Sequence, residues 1–190
     1  MNFRNLFAWL FLAITACQNE ELYPGSPAPE LTSSQWLQST PIKINKLQNK
    51  VVLLRWWTDG CVFCMQSADA LNTWHQRYAD SGLVVIGMYH PKPEPKPCNS
   101  EEVREYTMEK GFRFPVAIDQ DWRDLRRYGL PRGDMQFTSV SFLIGKDHRI
   151  RYIHPGGEYH ELYEKGHEQC VRDFYIMESN IQQALRERND

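Results

Sequence analysis

Two long apolar runs dominate the middle of this 190-residue chain, and each has the length of a buried β-strand. The first covers residues 51–57 (VVLLRWW) and the second covers residues 83–89 (LVVIGMY). Continuous apolar runs of this kind are typical of strands that are covered on both faces. Between them, apolar side chains recur at helical spacing over residues 65–79. Strand, helix and strand in this order predict a right-handed parallel crossover.

Shorter patterns on either side complete the predicted order of elements. Upstream, residues 36–47 are predicted to form a short edge hairpin. Downstream, the patterns predict a helix from Asn99 to Lys110, a strand at 114–119, a helix at 122–128, a hairpin of 140–144 with 149–153, and a helix that begins between Glu158 and His167 and ends near Arg186. This order predicts an α/β thioredoxin-like sandwich, in which a central mixed sheet has a parallel β-α-β start and a C-terminal β-hairpin plus helix.

The amino-acid composition and the net charge exclude some classes of protein. Apolar residues make up 42% of the chain and aromatic residues 13%, which excludes a disordered chain and supports one domain with a real core. The formal net charge is −2, and no basic stripe is present. We therefore expect no nucleic-acid partner.

The N-terminal segment resembles a targeting signal. Arg4 precedes a mostly apolar run over residues 6–16, which is too short to span a bilayer and is typical of a signal-peptide core. The run ends in a small residue followed by Cys17, as in a bacterial lipobox, although an ordinary secretory signal with a coincidental cysteine is the alternative. We predict a lipoprotein signal peptide at 1–16, a tether at 17–29 that starts with lipidated Cys17, and a thioredoxin-like domain at 30–190.

The residues with the clearest chemistry are Cys61 and Cys64, in a Cys-Val-Phe-Cys sequence between the first strand and the helix. Two thiols at this spacing can close a small disulfide ring, and the helix start favours the thiolate of Cys61. Half of a zinc site and an inert structural disulfide are the alternatives. We predict that Cys61 attacks a substrate disulfide and that Cys64, one turn deeper in the helix, resolves the mixed disulfide.

Four stretches resemble the TlpA-like thiol-disulfide oxidoreductases, which include lipoprotein members. They are KVVLLRWWTDGCVFC, GLVVIGMYHPK, GFRFPVAIDQDW and TSVSFLIGKDHRIRYIHPGGEY, and the resemblance covers residues 25–160. It implies that Ser139 stands where these folds place a cis-proline opposite the dithiol. A non-proline cis bond costs about 3 kcal/mol, so we expect a trans peptide at Ser139. The resemblance also puts Arg55 where thioredoxins carry a buried acid; Arg55 either lies below the dithiol or points to the sheet edge and pairs with a carboxylate.

The predicted topology brings further groups to the rim around the dithiol. Loops at this end of the sheet carry His90, Cys98, His154, Glu158 and His160, each of which has an ordinary surface role as its alternative. We predict substrate-binding roles for Trp57, Thr138, Ser139, His90 and His154.

Two more cysteines, Cys98 and Cys170, have three open interpretations. They form a structural disulfide, they act as a second redox relay, or they bind metal together with His167. The structural disulfide is the prediction that we carry forward, and we assign no metal ligands.

These features predict an exported, lipid-anchored thiol-disulfide oxidoreductase of the cell envelope or periplasm that acts on the thiols and disulfides of envelope proteins. It needs no cofactor, because the dithiol carries the electrons, but a reducing role requires a membrane electron donor. Two alternatives remain: a thiol peroxidase with Thr58 and Arg55 near Cys61, and a copper-binding chaperone that uses both cysteines and His90 or His154.

Overall fold

Six strands form one mixed sheet at the centre of the computed structural model, which describes residues 21–130, 138–163 and 165–188. The strands are β1 Gln35–Leu37, β2 Val51–Trp57, β3 Leu83–Tyr89, β4 Val116–Ile118, β5 Ser141–Ile144 and β6 Ile150–His154. The helices are α1 Val62–Gln66, α2 Ala68–Tyr78, α3 Ser100–Glu109, α4 Arg123–Arg127 and α5 Glu168–Arg186, and a short 3-10 turn covers Ile44–Lys46.

The strand order is β1-β4-β3-β2-β5-β6. Strand β2 pairs in parallel with β3, and β3 pairs in parallel with β4. On the other side, β5 pairs antiparallel with β2, and β6 pairs antiparallel with β5. The parallel start and the C-terminal hairpin plus helix that the sequence predicts are therefore confirmed.

The sheet separates two apolar cores, because successive side chains of a strand point to opposite faces. Val51, Leu53 and Trp57 of β2 belong to the core that α2, α3 and α5 cover. Val52, Leu54 and Trp56 belong to the other core, under α4 and the N-terminal segment. This arrangement explains why β2 is apolar along its whole length, with Arg55 as its one charged residue.

The predicted edge hairpin over residues 36–47 is wrong. Only β1 forms there, and it pairs with β4 on the far edge of the sheet. Gln38 has a left-handed φ of 61°, which ends the strand, and the chain then turns through Pro41. The backbone N–H groups of Ile44 and Asn45 donate to the carboxylate of Glu30 instead of to a second strand.

The single helix predicted over residues 65–79 is two helices, and the first begins earlier, at Val62. The break lies at Ser67, whose hydroxyl donates to the carbonyl of Phe63 at 3.0 Å. A serine that bonds to the carbonyl four residues back bends a helix. The short helix α1 therefore carries both cysteines of the motif at an angle set by Ser67.

The folded domain begins earlier than the predicted boundary at residue 30. The Gly25 N–H donates to the Ile150 carbonyl at 2.7 Å, and the Ile150 N–H donates to the Ser26 carbonyl at 2.9 Å. Residues 25–28 thus extend the β6 edge. The predicted signal peptide and Cys17 lie outside the described residues. Within the described ranges, no helix combines the length and the apolar character needed to cross a bilayer.

Asp124 of α4 hydrogen-bonds to the N-terminal segment, and its substitution tests how much this link stabilises the fold. Its buried carboxylate accepts hydrogen bonds from the N–H and hydroxyl groups of both Thr32 and Ser33, at 2.6–2.9 Å. Asp124→Ala leaves these donors without a partner, and we expect it to lower the free energy of unfolding by about 3 kcal/mol in urea titrations.

Asp121→Ala is the matched control, because this nearby aspartate pairs with Arg123 on the surface. Exposed pairs contribute little, so we expect its loss to stay at or below about 1 kcal/mol. Equal losses in the two variants would contradict the anchoring role of Asp124.

Candidate active site

Cys61 and Cys64 form a disulfide at the start of α1, with their Cα atoms 5.3 Å apart. Cys61 is the N-cap residue, and its sulfur accepts a hydrogen bond from the Cys64 N–H at 3.3 Å. Cys64 has an exposed fraction of 2%, whereas Cys61 is partly exposed. The predicted ring is present, and Cys61 is its accessible member.

The two residues between the cysteines form an apolar lip beside the disulfide. Val62 is 65% exposed and Phe63 is 43% exposed. Large apolar side chains in solvent are unusual enough to mark a contact surface when they adjoin a reactive group. This lip lies on the same side of the sheet end as Cys61.

A cleft of about 240 Å³ opens next to Cys61. Thr138 and Ser139 line one wall, and Phe63 and Lys92 contribute to the remainder. Thr138 and Ser139 thus lie where the sequence analysis predicts substrate contacts. The peptide bond between them is trans, as expected for a non-proline residue.

Arg55 lies beneath this region and is fully buried. Its Nη1 donates to the Ser139 carbonyl at 2.5 Å, and its Nη2 donates to the Gly157 carbonyl at 2.6 Å. Longer contacts of 3.3 Å reach the hydroxyls of Ser141 and Ser67. One guanidinium therefore joins the cleft wall, the break between α1 and α2, and the loop after β6.

This position decides between the two interpretations of Arg55. The side chain lies under the dithiol region and not at the sheet edge, and among the described residues it contacts carbonyls and hydroxyls rather than a carboxylate. Its guanidinium also lies 5.0 Å above the ring of Tyr159. Burial lowers the pKa of Arg55, partly offset by Tyr159, but the group remains a cation because arginine starts far above neutral pH.

His90 is buried, and its role in substrate binding stays a prediction. Its Nε2 lies 2.7 Å from the Thr138 hydroxyl, and its backbone N–H donates to the Trp57 carbonyl. Burial, together with the charge of Lys92, lowers the pKa of His90 to about 3. His90 is thus a neutral group that positions Thr138 from behind the cleft wall.

His154 is also buried, with an exposed fraction of 1%, and its contact with substrate likewise stays a prediction. Its Nε2 lies 3.3 Å from Asp173 of α5, and Tyr159 packs edge-on against its ring. Burial and the charge of Arg55 lower its pKa, while Asp173 opposes that shift. His154 is the last residue of β6, and its side chain points toward α5.

A second cleft, of about 400 Å³, lies on the other side of Asp59. Trp57 lines this cleft with little of its indole exposed, and its contact with substrate stays a prediction. Tyr106 stacks on Trp57 at a ring distance of 5.9 Å, and the Tyr89 hydroxyl donates to Asp59 at 3.0 Å. Burial and Asp59 together raise the pKa of Tyr89. Asp59 and Tyr106 were not predicted; their proximity arises from α3, whose position the sequence does not show.

Cys98 and Cys170 are free thiols in different places, so the structure lacks the predicted disulfide. Cys98 lines the second cleft, where burial and the charge of Asp59 raise its pKa. Cys170 lies on the first turn of α5, 3.3 Å from Glu158. The number of residues between Cys98 and Cys170 does not determine how far apart their sulfur atoms lie. No other feature of the sequence supported the predicted disulfide.

Glu158, His160 and His167 gather around Cys170, and none of the four lines the cleft next to Cys61. The ligating atoms of all four lie within 4.8 Å of one another. Burial, followed by the hydrogen bond to Glu158, raises the pKa of Cys170 to about 11. The metal-binding interpretation joined Cys98, Cys170 and His167. Of these three residues, His167 and Cys170 meet here, and Cys98 lies elsewhere.

Comparison with known proteins places the chain in a family. The family model described as AhpC/TSA matches residues 24–153. The chain belongs to the AhpC/TSA family. Together with the Cys61–Cys64 pair and the relatives below, this confirms the predicted thioredoxin-like oxidoreductase family.

Individual relatives agree with this assignment. ResA of Bacillus thuringiensis, named a thiol-disulfide oxidoreductase, is 26% identical over 131 residues, which cover 69% of each chain. DipZ of Mycobacterium bovis is 30% identical over 139 residues, which cover 70% of this chain but only 19% of DipZ. A crystal structure of a candidate thiol:disulfide interchange protein DsbE from Chlorobium tepidum has a TM-score of 0.68 at 21% identity, covers 86% of this chain and 99% of that one, and shows the shared fold.

The burial of His90 leads to a prediction on pH. Its pKa falls from 6.5 to about 3 on folding, so below pH 6.5 the unfolded chain binds a proton that the folded protein does not. Stability therefore falls as the pH drops, by about 1.4 kcal/mol per pH unit. Between pH 7 and pH 4.5, the parent should lose roughly 2–3 kcal/mol more than His90→Gln in urea titrations. All other titrating groups are common to both proteins, so equal losses would show that His90 is not held neutral.

Proposed function

We propose that this protein is a thiol-disulfide oxidoreductase that exchanges electrons with cysteines of other proteins through Cys61 and Cys64. The observation that carries the proposal is the Cys61–Cys64 disulfide at a helix start, with Cys61 facing a cleft and Cys64 buried behind it. In the reduced protein the Cys61 thiolate attacks a substrate disulfide, one substrate thiolate leaves, and a mixed disulfide forms. Cys64 then attacks Cys61, which releases the second substrate thiolate and restores the ring.

The cleft supports a polypeptide as the substrate. Thr138 and Ser139 present a short extended segment beside Cys61, and the lip of Val62 and Phe63 offers apolar contact. A peptide that lies along this segment brings a cysteine to Cys61 without needing a deep pocket. The names of the relatives, thiol-disulfide oxidoreductase and thiol:disulfide interchange protein, favour the same substrate class.

The same proposal places the protein in the cell envelope, anchored to a membrane through lipidated Cys17. The support is the three-part leader over residues 1–16 and the small residue that precedes Cys17. Protein thiols of the envelope are then the partners. A reducing role requires a membrane electron donor, because an oxidising compartment returns the dithiol to the disulfide.

The geometry gives less support to the two alternatives. A peroxidase needs a cation and a hydroxyl aimed at the Cys61 sulfur, but Arg55 donates to carbonyls below the site and the Thr58 hydroxyl donates to Asp59. A copper site with Cys61 and Cys64 needs a nearby imidazole, but His90 contacts Thr138 and His154 contacts Asp173.

Trapping the intermediate tests the proposed reaction. Cys64→Ser removes the resolving thiol, so the mixed disulfide on Cys61 should accumulate when the variant meets a protein disulfide such as insulin. Non-reducing gels and mass spectrometry detect this adduct, and reductant removes it. Steady-state turnover should fall by at least about 100-fold, because the second step is lost.

The matched control is Cys98→Ser, which removes a cysteine outside the dithiol that lines the adjacent cleft. Its turnover should stay within about twofold of the parent. Cys61→Ser should form no adduct, since the accessible thiol is gone. An adduct that forms equally in Cys61→Ser would refute the assigned roles of the two cysteines.

Substitution of Cys17 tests the anchor separately from the chemistry. In the cell, Cys17→Ser should move the protein out of the membrane fraction, because acyl chains supply most of the affinity for the bilayer. Insulin reduction by the purified variant should remain at the level of the parent. A membrane fraction unchanged by the substitution would contradict lipidation at Cys17 and leave the proposed exchange reaction intact.

A further inference from the structure

The four side chains around Cys170 form a group that the exchange reaction does not use. We propose that Glu158, His160, His167 and Cys170 form a zinc-binding site that joins the loop after β6 to the first turn of α5. The sequence analysis assigned no metal ligands, and the site shares no residue with the dithiol.

The four ligating atoms already surround a common point. Cys170 Sγ lies 3.3 Å from Glu158 Oε1 and 3.8 Å from His167 Nδ1. His167 Nδ1 lies 3.0 Å from Glu158 Oε1 and 3.1 Å from His160 Nε2. A tetrahedral zinc site with bonds of 2.0–2.3 Å has ligand-to-ligand edges of about 3.3–3.8 Å. The observed separations are close to these edges, so small side-chain movements suffice to bind the ion.

Hydrogen bonding alone does not account for this packing. Three polar atoms, from Glu158, His160 and Cys170, approach the single Nδ1 of His167. One ring nitrogen carries at most one proton or one lone pair, so it satisfies only one of these contacts. A cation at the centre would satisfy all four groups together.

Glu158 provides a second, independent observation. Its side chain is only 9% exposed, and its Oε2 is buried without a hydrogen-bond partner among the described residues. Burial of a carboxylate is costly unless the charge is compensated, and compensation by a metal ion is one of the usual forms. The other oxygen, Oε1, faces Cys170 and His167.

The orientation of His160 also suits a ligand. Its Nδ1 lies 2.7 Å from the carbonyl of Leu162, which fixes the proton on that nitrogen. Nε2 is then left as the lone-pair atom, and it is the atom that faces the other three groups. A backbone carbonyl that holds the second ring nitrogen is the usual support of a metal-bound histidine.

The ligand set favours Zn²⁺ over other ions. One thiolate, two imidazoles and one carboxylate are all accepted by zinc, whereas Cu(I) prefers soft ligands and Ca²⁺ or Mg²⁺ prefer oxygen. The charges of the thiolate and the carboxylate together balance the two positive charges of the ion. Binding as a thiolate releases the Cys170 proton to solvent.

The site links two segments that the sheet does not hold together. Glu158 and His160 lie in the loop after β6, while His167 and Cys170 begin α5. Tyr159, between the first two ligands, donates its backbone N–H to Ser67, behind the dithiol helix. Bound zinc would fix this loop from its outer side, as Arg55 does from within.

Zinc titration of the oxidised full-length protein tests the proposal. The Cys61–Cys64 disulfide is closed in this form, so the dithiol cannot bind the ion. Calorimetry should show one Zn²⁺ per chain with a sub-micromolar Kd. Cys170→Ser and His160→Gln should each weaken binding by roughly 100-fold or more, while Cys98→Ser, the other free thiol, should stay within about twofold.

Two further readouts separate ligation from folding. Co²⁺ in place of Zn²⁺ should give a thiolate charge-transfer band in the parent and in Cys98→Ser, but not in Cys170→Ser. Zn²⁺ at 100 times its Kd should raise the Tm of the parent by roughly 5–10 °C and leave that of His160→Gln unchanged. His160→Gln replaces a partly exposed residue, so it keeps the test open if Cys170→Ser fails to fold.

Uptake of no Zn²⁺ by the oxidised parent at micromolar free metal would overturn the proposal. Binding that is the same in the parent, Cys170→Ser and His160→Gln would overturn it as well, because the ion would then be held elsewhere. Neither result bears on the exchange reaction, whose test uses Cys61 and Cys64.

Discussion

The architecture of the active site depends on one buried cation. Arg55 projects from the central strand β2 and donates to the carbonyls of Ser139, just before β5, and Gly157, just after the paired strand β6. Its contact with Ser67 adds the joint between the two helices that follow the dithiol. A buried charge is costly when its donors lose their partners, so the carbonyls that occupy Nη1 and Nη2 hold these loops against Arg55, whose Nε has no hydrogen-bond partner among the described residues. Arg55 thereby fixes the cleft wall relative to the cysteines.

Around this cation, the polar groups near the dithiol are held by packing and neutral contacts. His90 supports Thr138 from inside the protein, and the carboxylate of Asp59 accepts hydrogen bonds from the hydroxyls of Tyr89 and Thr58. The cleft next to Cys61 is consequently lined on one side by the largely buried polar pair Thr138 and Ser139, and the exposed apolar lip adjoins it. A site of this form suits a redox couple in the cysteines themselves, because the surroundings need only hold and orient a partner chain.

Sequence patterns were most informative where the chain is most regular. The bounds of β2 and β3 follow directly from their apolar runs, and the dithiol at the start of a helix follows from the Cys-x-x-Cys spacing. The patterns failed where a single side chain redirects the backbone, as Glu30 and Ser67 do. The burial of His90 and His154 could not be predicted, because a position before a proline does not reveal that Trp122, Tyr159 and α5 pack over them.

The lip of Val62 and Phe63 is the main exposed apolar surface next to Cys61, and it has a consequence for the proposed partners. Contact with these side chains gains free energy by releasing water from apolar surface, and this contribution is largely insensitive to ionic strength. It is also available to any chain whose cysteine lies among exposed apolar residues, a condition met more often by unfolded or partly folded polypeptides than by finished proteins. If the proposed exchange reaction holds, the two residues between the cysteines would favour clients that have not finished folding.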